Sequence, residues 1–208
     1  MGQHREGRRV SAFLATTDGR VLAHFDASEV DVLLSLSRQF SALLHDAADP
    51  AHLVDPAIAR LFPAAYRDDA AASDEFRRYT QKDLASAKLH AADRVQSALD
   101  GTAEPSLEVV LPDGRVAIGL SVEDGWSWLR HLTDLRLTLA ARMGVVDDTA
   151  AFDDEPDPDV LTEDELLTRS LFDWVGYVQE LFVAALEDVA GTDTIAGPSA
   201  SGPSSTGE

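Results

Sequence analysis

The sequence predicts an α+β fold that is mostly α-helical, with about five helices and a small antiparallel sheet made from two β-hairpins. Three observations predict it. The string Asp-Gly-Arg-Val occurs twice between short apolar runs, at Asp18–Val21 and at Asp113–Val116. Apolar residues recur at the 3.6-residue helical period through most of the remaining chain. Apolar residues make up 45% of 208 residues, enough to build a core.

The first hairpin is expected over residues 9–25. Val10 to Leu14 enter the turn and Val21 to Phe25 leave it. Asp-Gly marks such turns because glycine accepts positive φ without a Cβ clash. The second hairpin, over residues 106–121, repeats the device, with Leu107 to Leu111 entering and Val116 to Leu120 leaving. A lone hairpin is marginal in water, so the two are expected to share one sheet.

Helices account for the rest. Ser28 reads as an N-cap, with Glu29 and Asp31 favoured by the helix dipole, and the helix continues through Leu33, Phe40 and Leu44. A short helix follows Asp55-Pro56, with Pro56 at its first position, and stops at Phe62-Pro63. A long helix spans about 73–99, with the stripe Phe76, Thr80, Leu84, Ala87, Ala91, Val95 and Ala98. The next spans about 122–143, with Trp126, Leu129, Leu132, Leu135, Leu139 and Met143 on one face. The last begins at the capping box Thr162-Glu163-Asp164-Glu165 and runs to about residue 189. Its stripe includes Leu171, Trp174, Val175, Val178, Leu181, Phe182, Ala185 and Leu186.

These elements place one helix-rich regulatory domain over residues 1–190. Residues 147–160, acidic and containing Pro156 and Pro158, are expected to be a mobile loop. Residues 191–208, rich in Gly, Pro, Ser and Thr, are expected to be a disordered tail.

The net charge is −20, and it is unevenly spread. Residues 145–208 carry 16 acidic side chains and one basic side chain, Arg169. Such a surface repels nucleic acid in general and attracts a basic protein partner. Cysteine is absent, which excludes disulfides, thiolate metal sites and thiol nucleophiles. No apolar run approaches the roughly 18 residues of a membrane span. The first residues contain no apolar signal segment, so a cytoplasmic protein is the expectation.

Catalytic and metal motifs do not emerge. The six histidines form no His-x-x-x-His or His-Glu-x-x-His pair, and no phosphate loop or nucleophile elbow occurs. A calcium loop opening at Asp153 would need Gly at its sixth position and Glu at its twelfth; it has Pro158 and Asp164. No cofactor, metal or enzyme activity is therefore expected. The most basic stretch contains Arg77, Arg78, Lys82, Lys88 and Arg94, interleaved with Asp83 and Asp93. Arg77, Arg78 and Lys82 are the candidate nucleic-acid contacts, but their charges are scattered around the helix rather than aligned. For a protein interface, Trp128 and Tyr177 lie off the stripe centres and are the better aromatic candidates, whereas Trp126 and Trp174 lie on the stripes and read as core. His131, Asp134 and Asp173 complete the candidate interface. An exposed Trp128 or Tyr177 would favour a homodimer.

Four ordered blocks carry a resemblance. They are Asp55 to Asp69 (DPAIARLFPAAYRDD), Glu75 to Thr80 (EFRRYT), Trp128 to Leu137 (WLRHLTDLRL) and Phe172 to Glu180 (FDWVGYVQE). With them, the chain from about Arg8 to Val189 resembles an actinobacterial family known as a domain of unknown function. Its genes commonly sit beside that of the Clp protease adaptor ClpS, and it includes the oxidative-stress regulator AosR. The resemblance implies a non-enzymatic regulator of transcription and stress response. Its expected partner is a protein such as a sigma factor or RNA polymerase. It also suggests an adaptor linked to Clp proteolysis as an alternative; a small-molecule-binding regulatory domain is a third. The cysteine pair of the redox-sensing relative has no counterpart here, so a thiol switch does not carry over.

Overall fold

The structure, a computed structural model, describes residues 12–46, 55–66, 68–103, 108–144 and 161–195. The expected acidic loop and most of the expected tail lie outside the described residues. The elements run β1 (Ala12–Ala15), β2 (Val21–Phe25), α1 (Ala27–Asp46), α2 (Pro56–Leu61), α3 (Ala70–Leu99), β3 (Glu108–Val110), β4 (Val116–Leu120), α4 (Val122–Arg142) and α5 (Glu163–Ile195).

Both hairpins form, and they share one sheet of order β1-β2-β4-β3 with every pairing antiparallel. The two turns are built alike. In each, a backbone N–H before the turn donates across it, Thr16 to Arg20 O at 2.8 Å and Leu111 to Arg115 O at 2.7 Å. Gly19 and Gly114 occupy the left-handed position at φ 77° and 82°, as a three-residue loop of this type requires. Val21, Ala23 and Phe25 stand opposite Leu120, Ile118 and Val116. These six side chains form the inner face of the sheet and are all buried.

The helix starts follow from their caps. The Glu29 carboxylate accepts from the Asp26 backbone N–H at 2.8 Å, so α1 begins at Ala27, ahead of the expected cap at Ser28. Asp55 caps α2 and Asp69 caps α3. Ser121 caps α4, its Oγ accepting from the Asp124 N–H at 3.1 Å. The capping box at Thr162 is reciprocal: Glu165 accepts from the Thr162 N–H at 2.9 Å, and Thr162 Oγ1 accepts from the Glu165 N–H at 3.3 Å. Gly191 does not end α5, which continues to Ile195, five residues past the expected domain boundary at 190.

Helix α4 is central and touches α1, α2, α3 and α5, while α4 and α5 both meet the sheet. Trp128 sits where these layers join. Its ring stacks on Phe25 at a centroid distance of 6.0 Å and lies 6.2 Å from Phe182. Phe13 closes the cluster against Phe25 and Phe182 at 5.5 and 5.0 Å. The burial of α4 corrects the sequence reading. Trp128 is 1% exposed and Trp126 is 51% exposed, the reverse of the expectation. Leu132, Leu135 and Leu139 do face the core. The buried face also holds Ser127, His131 and Asp134, and these polar members shift the apparent centre of an apolar stripe toward Trp126. His131 and Asp134 are thus interior, and neither they nor Trp128 form a surface interface.

Helix α3 departs from its stripe differently. Ala91, Val95 and Ala98 are buried, but Phe76 and Leu84 are exposed, the Phe76 ring meeting only the edge of Tyr66 at 6.3 Å among the described aromatic contacts. On α5, Trp174 is partly buried and packs against the core, as expected.

The reassignment of the two tryptophans gives a direct measurement. Trp128→Ala is expected to cost about 3–5 kcal/mol of folding stability, and Trp126→Ala to stay within about 0.5 kcal/mol. Urea unfolding of both variants at neutral pH checks this, and equal losses would contradict the packing.

Candidate functional site

The polar residues of α4 are wired inward. His131 Nε2 and Ser37 Oγ of α1 share a hydrogen bond of 2.7 Å, and the Phe40 ring meets the imidazole edge-on at 5.2 Å. Gln96 of α3 donates to Ser41 Oγ at 3.0 Å and to the Ser37 carbonyl at 3.3 Å. Lys88 of α3 pairs with Asp134 at 2.5 Å, and Arg94 pairs with Asp124. Arg142 reaches Asp55, the cap of α2, at 2.8 Å.

On the α5 side, Arg136 donates to Gln179 Oε1 at 3.1 Å and lies over the Phe172 ring at 4.8 Å. Gly176 makes that possible, since a Cβ there would stand 3.3 Å from the guanidinium carbon. Gly125 plays the matching role on α4, where a Cβ would meet Leu186 at 2.8 Å. Gln179 also donates to Thr133 Oγ1 at 2.9 Å.

Burial governs the protonation of this interior. It lowers the His131 pKa to about 4, with the Lys88 ammonium contributing in the same direction, so the imidazole is neutral near pH 7. Burial pushes the Asp134 carboxyl up, against the opposing pull of Lys88. A Ser–His hydrogen bond invites a nucleophile–base reading. Here both side chains are fully buried. His131 Nδ1 has no hydrogen-bond partner among the described residues, so no carboxylate orients the ring as a triad would. The pair therefore joins α1 to α4. Among the described residues no group of three or more His, Asp or Glu side chains is placed to hold a metal ion. No helix there is long and apolar enough to cross a membrane.

The outward surface of α4 and α5 has a different character. A groove of about 390 Å³ runs between them, lined by Arg136, Gln179, Glu180, Val183, Ala184 and Glu187. Thr133, bonded to Gln179, belongs to the same side. Trp126 lies seven residues before Thr133, two helical turns along that face, with Val122 also exposed one turn further. Two other cavities are larger. One of about 520 Å³ includes Arg20, His90, Arg94, Ser97 and Asp124. One of about 430 Å³ lies between α1 and the end of α4.

The domain-of-unknown-function model DUF2017 matches residues 10–186. The chain belongs to this family. No curated protein and no solved structure matches it.

The matched span of the DUF2017 domain includes every strand and all helices up to the last turns of α5. Within it, the expected interface residues separate. Trp128, His131 and Asp134 are core, whereas Asp173 and Tyr177 are exposed on α5. Of the expected nucleic-acid contacts, Arg77 lies within α3. Arg78 stacks over the Tyr79 ring at 4.9 Å and donates to its hydroxyl at 2.9 Å, and Lys82 is exposed. The sequence reading passed over Trp126, Tyr79 and Phe76 as surface residues. Tyr79 lies off the apolar stripe of α3, and that position is the signal that could have marked it as a surface residue.

The depressed His131 pKa makes the DUF2017 core sensitive to acid. Its folded value, about 4, lies below the ordinary 6.5, so neutral His131 contributes stability above pH 6.5 that is lost as pH falls toward 4. The gap corresponds to about 3 kcal/mol. The stability advantage of the wild type over His131→Leu should shrink by that amount between pH 7 and pH 4. Chemical unfolding at both pH values measures it, and a constant difference would refute the assignment.

Proposed function

We propose that this DUF2017 protein is a non-enzymatic, cytoplasmic regulator associated with transcription and stress response, and that it works by binding protein. The observation that carries the reading is the α4–α5 face. A half-exposed Trp126 lies on the face of α4 that carries Thr133, and the groove between α4 and α5 is lined by Glu180 and Glu187. Tryptophan is the residue most enriched among binding hot spots, and the carboxylates select a basic partner. A basic surface of a sigma factor or of RNA polymerase fits that chemistry. The net charge of −20 supports protein over nucleic acid as the partner. Without cysteine, this member responds to something other than thiol oxidation.

Affinity recovery from lysate of a source organism tests the proposal. The tagged wild type is expected to retain RNA polymerase or a sigma factor. Trp126→Ala is expected to weaken capture by a factor of about 30 or more, and Glu180→Lys with Glu187→Lys to weaken it while reducing its salt dependence. Recovery of Clp subunits instead would favour the adaptor reading. A co-purifying small molecule with no protein would favour a ligand-binding domain.

A further inference from the structure

The bond between Ser37 and His131 joins α1 to α4. From that joint the cavity of about 430 Å³ extends along both helices to their C-terminal ends, where Asp46 and Arg142 line it. Phe40 and Leu43 of α1 and Leu135 and Leu139 of α4 supply apolar walls. Phe40, Leu135 and Leu139 are buried side chains, and Leu43 is half-buried. Mostly apolar walls with a few polar groups are the usual make-up of a small-molecule site, whose volume is about 300–1,000 Å³.

The charges gather at one end. Asp46 is the last residue of α1 and Arg142 the last of α4. Arg142 is already held by Asp55 at 2.8 Å, and Asp55 also lines the cavity. Among the described residues no cation pairs with Asp46. Two carboxylates therefore stand against one guanidinium, which leaves an uncompensated negative charge at this mouth.

The backbone acts in the same direction. Both α1 and α4 end here, and a helix carries partial negative charge at its C-terminus. Helix α2 begins here with the opposite polarity, but the Asp55 carboxylate already meets that end, accepting from the Ala57 N–H at 2.8 Å. The uncharged polar lining offers acceptors as well. The Thr138 hydroxyl donates to the Asp134 carbonyl at 2.9 Å, and the Gln39 amide donates to Ser35 Oγ at 3.2 Å. Both donors are thus engaged, and their oxygens remain to accept.

We propose that this cavity binds a small cationic amphiphile, an organic amine. Its apolar body lies between Phe40, Leu43, Leu135 and Leu139, and its ammonium sits at the mouth beside Asp46. A carboxylate of the same shape is rejected by the charge already there. The site is separate from the α4–α5 groove and does not depend on the function proposed for that groove.

Calorimetric titration of the full chain with phenylbutylamine, phenylbutanol and phenylbutanoate tests this, since the three share an apolar body and differ in the charge of the head group. The amine is expected to bind with a dissociation constant below about 1 mM, the alcohol more weakly, and the carboxylate weakest. Asp46→Asn is expected to weaken the amine about five-fold while leaving the alcohol unchanged. Ala42→Phe, at an exposed position of α1 that lines the cavity, and Leu43→Trp are each expected to fill the space and weaken the amine about ten-fold or more. Circular dichroism checks that the variants keep their helices, and a filling variant that unfolds leaves the decision to Asp46→Asn and to the order of the three probes. Absence of saturable amine binding, a carboxylate that binds as tightly as the amine, or folded filling variants with unchanged affinity overturns the proposal.

Discussion

The structure depends on the position of Trp128. Its ring is held between the Phe25 strand and the Phe182 helix, with Phe13 closing the far side. That cluster fixes how α4 lies on the sheet, and α4 in turn carries contacts to the four other helices. Offset and edge-on aromatic contacts of this kind contribute about 0.5–1.5 kcal/mol each beyond simple burial. They are also directional, so the cluster determines the rotation of α4 about its own axis. Once that rotation is set, His131 must face Ser37, Asp134 must face Lys88, Arg136 must lie along α5, and Trp126 must point to water.

Much of this was legible in the sequence. The two Asp-Gly turns, the proline start of α2, the Thr162 capping box and the boundaries of α4 follow from local chemistry, and local chemistry can be read locally. The register of buried faces was harder. On α4 a purely apolar criterion misplaced Trp126 and Trp128, because Ser127, His131 and Asp134 are buried with partners on other helices. A hydrogen bond to Ser37, 94 residues away in sequence, leaves no mark on the periodicity of α4. The α3 stripe failed for another reason. Periodicity reports which side of a helix is apolar, not whether a neighbour packs against every turn of it.

The family blocks acquire a physical meaning in the same light. In the block from Trp128 to Leu137, His131, Thr133, Asp134 and Arg136 all bond to other helices. Gly176, in the last block, gives the Arg136 guanidinium room against α5. These residues define how DUF2017 helices pack. Arg136, Gln179 and Glu180 line the groove between α4 and α5, on the outward side of that packing.

The pairing of β2 with β4 has a consequence for how the chain assembles. Each hairpin closes locally, but Val21 meets Leu120 only after about a hundred intervening residues are brought round, at an entropic cost that grows with the logarithm of the loop. Three helices lie within that loop, and their formation shortens the span to be closed. Hairpins and helices are local and fast, whereas the joint between hairpins is non-local and slow. The sheet at the heart of the molecule is thus among the last parts to be completed. Until then Phe13 and Phe25 meet only each other across the first hairpin, and the Trp128 ring that stacks on Phe25 is not yet in place.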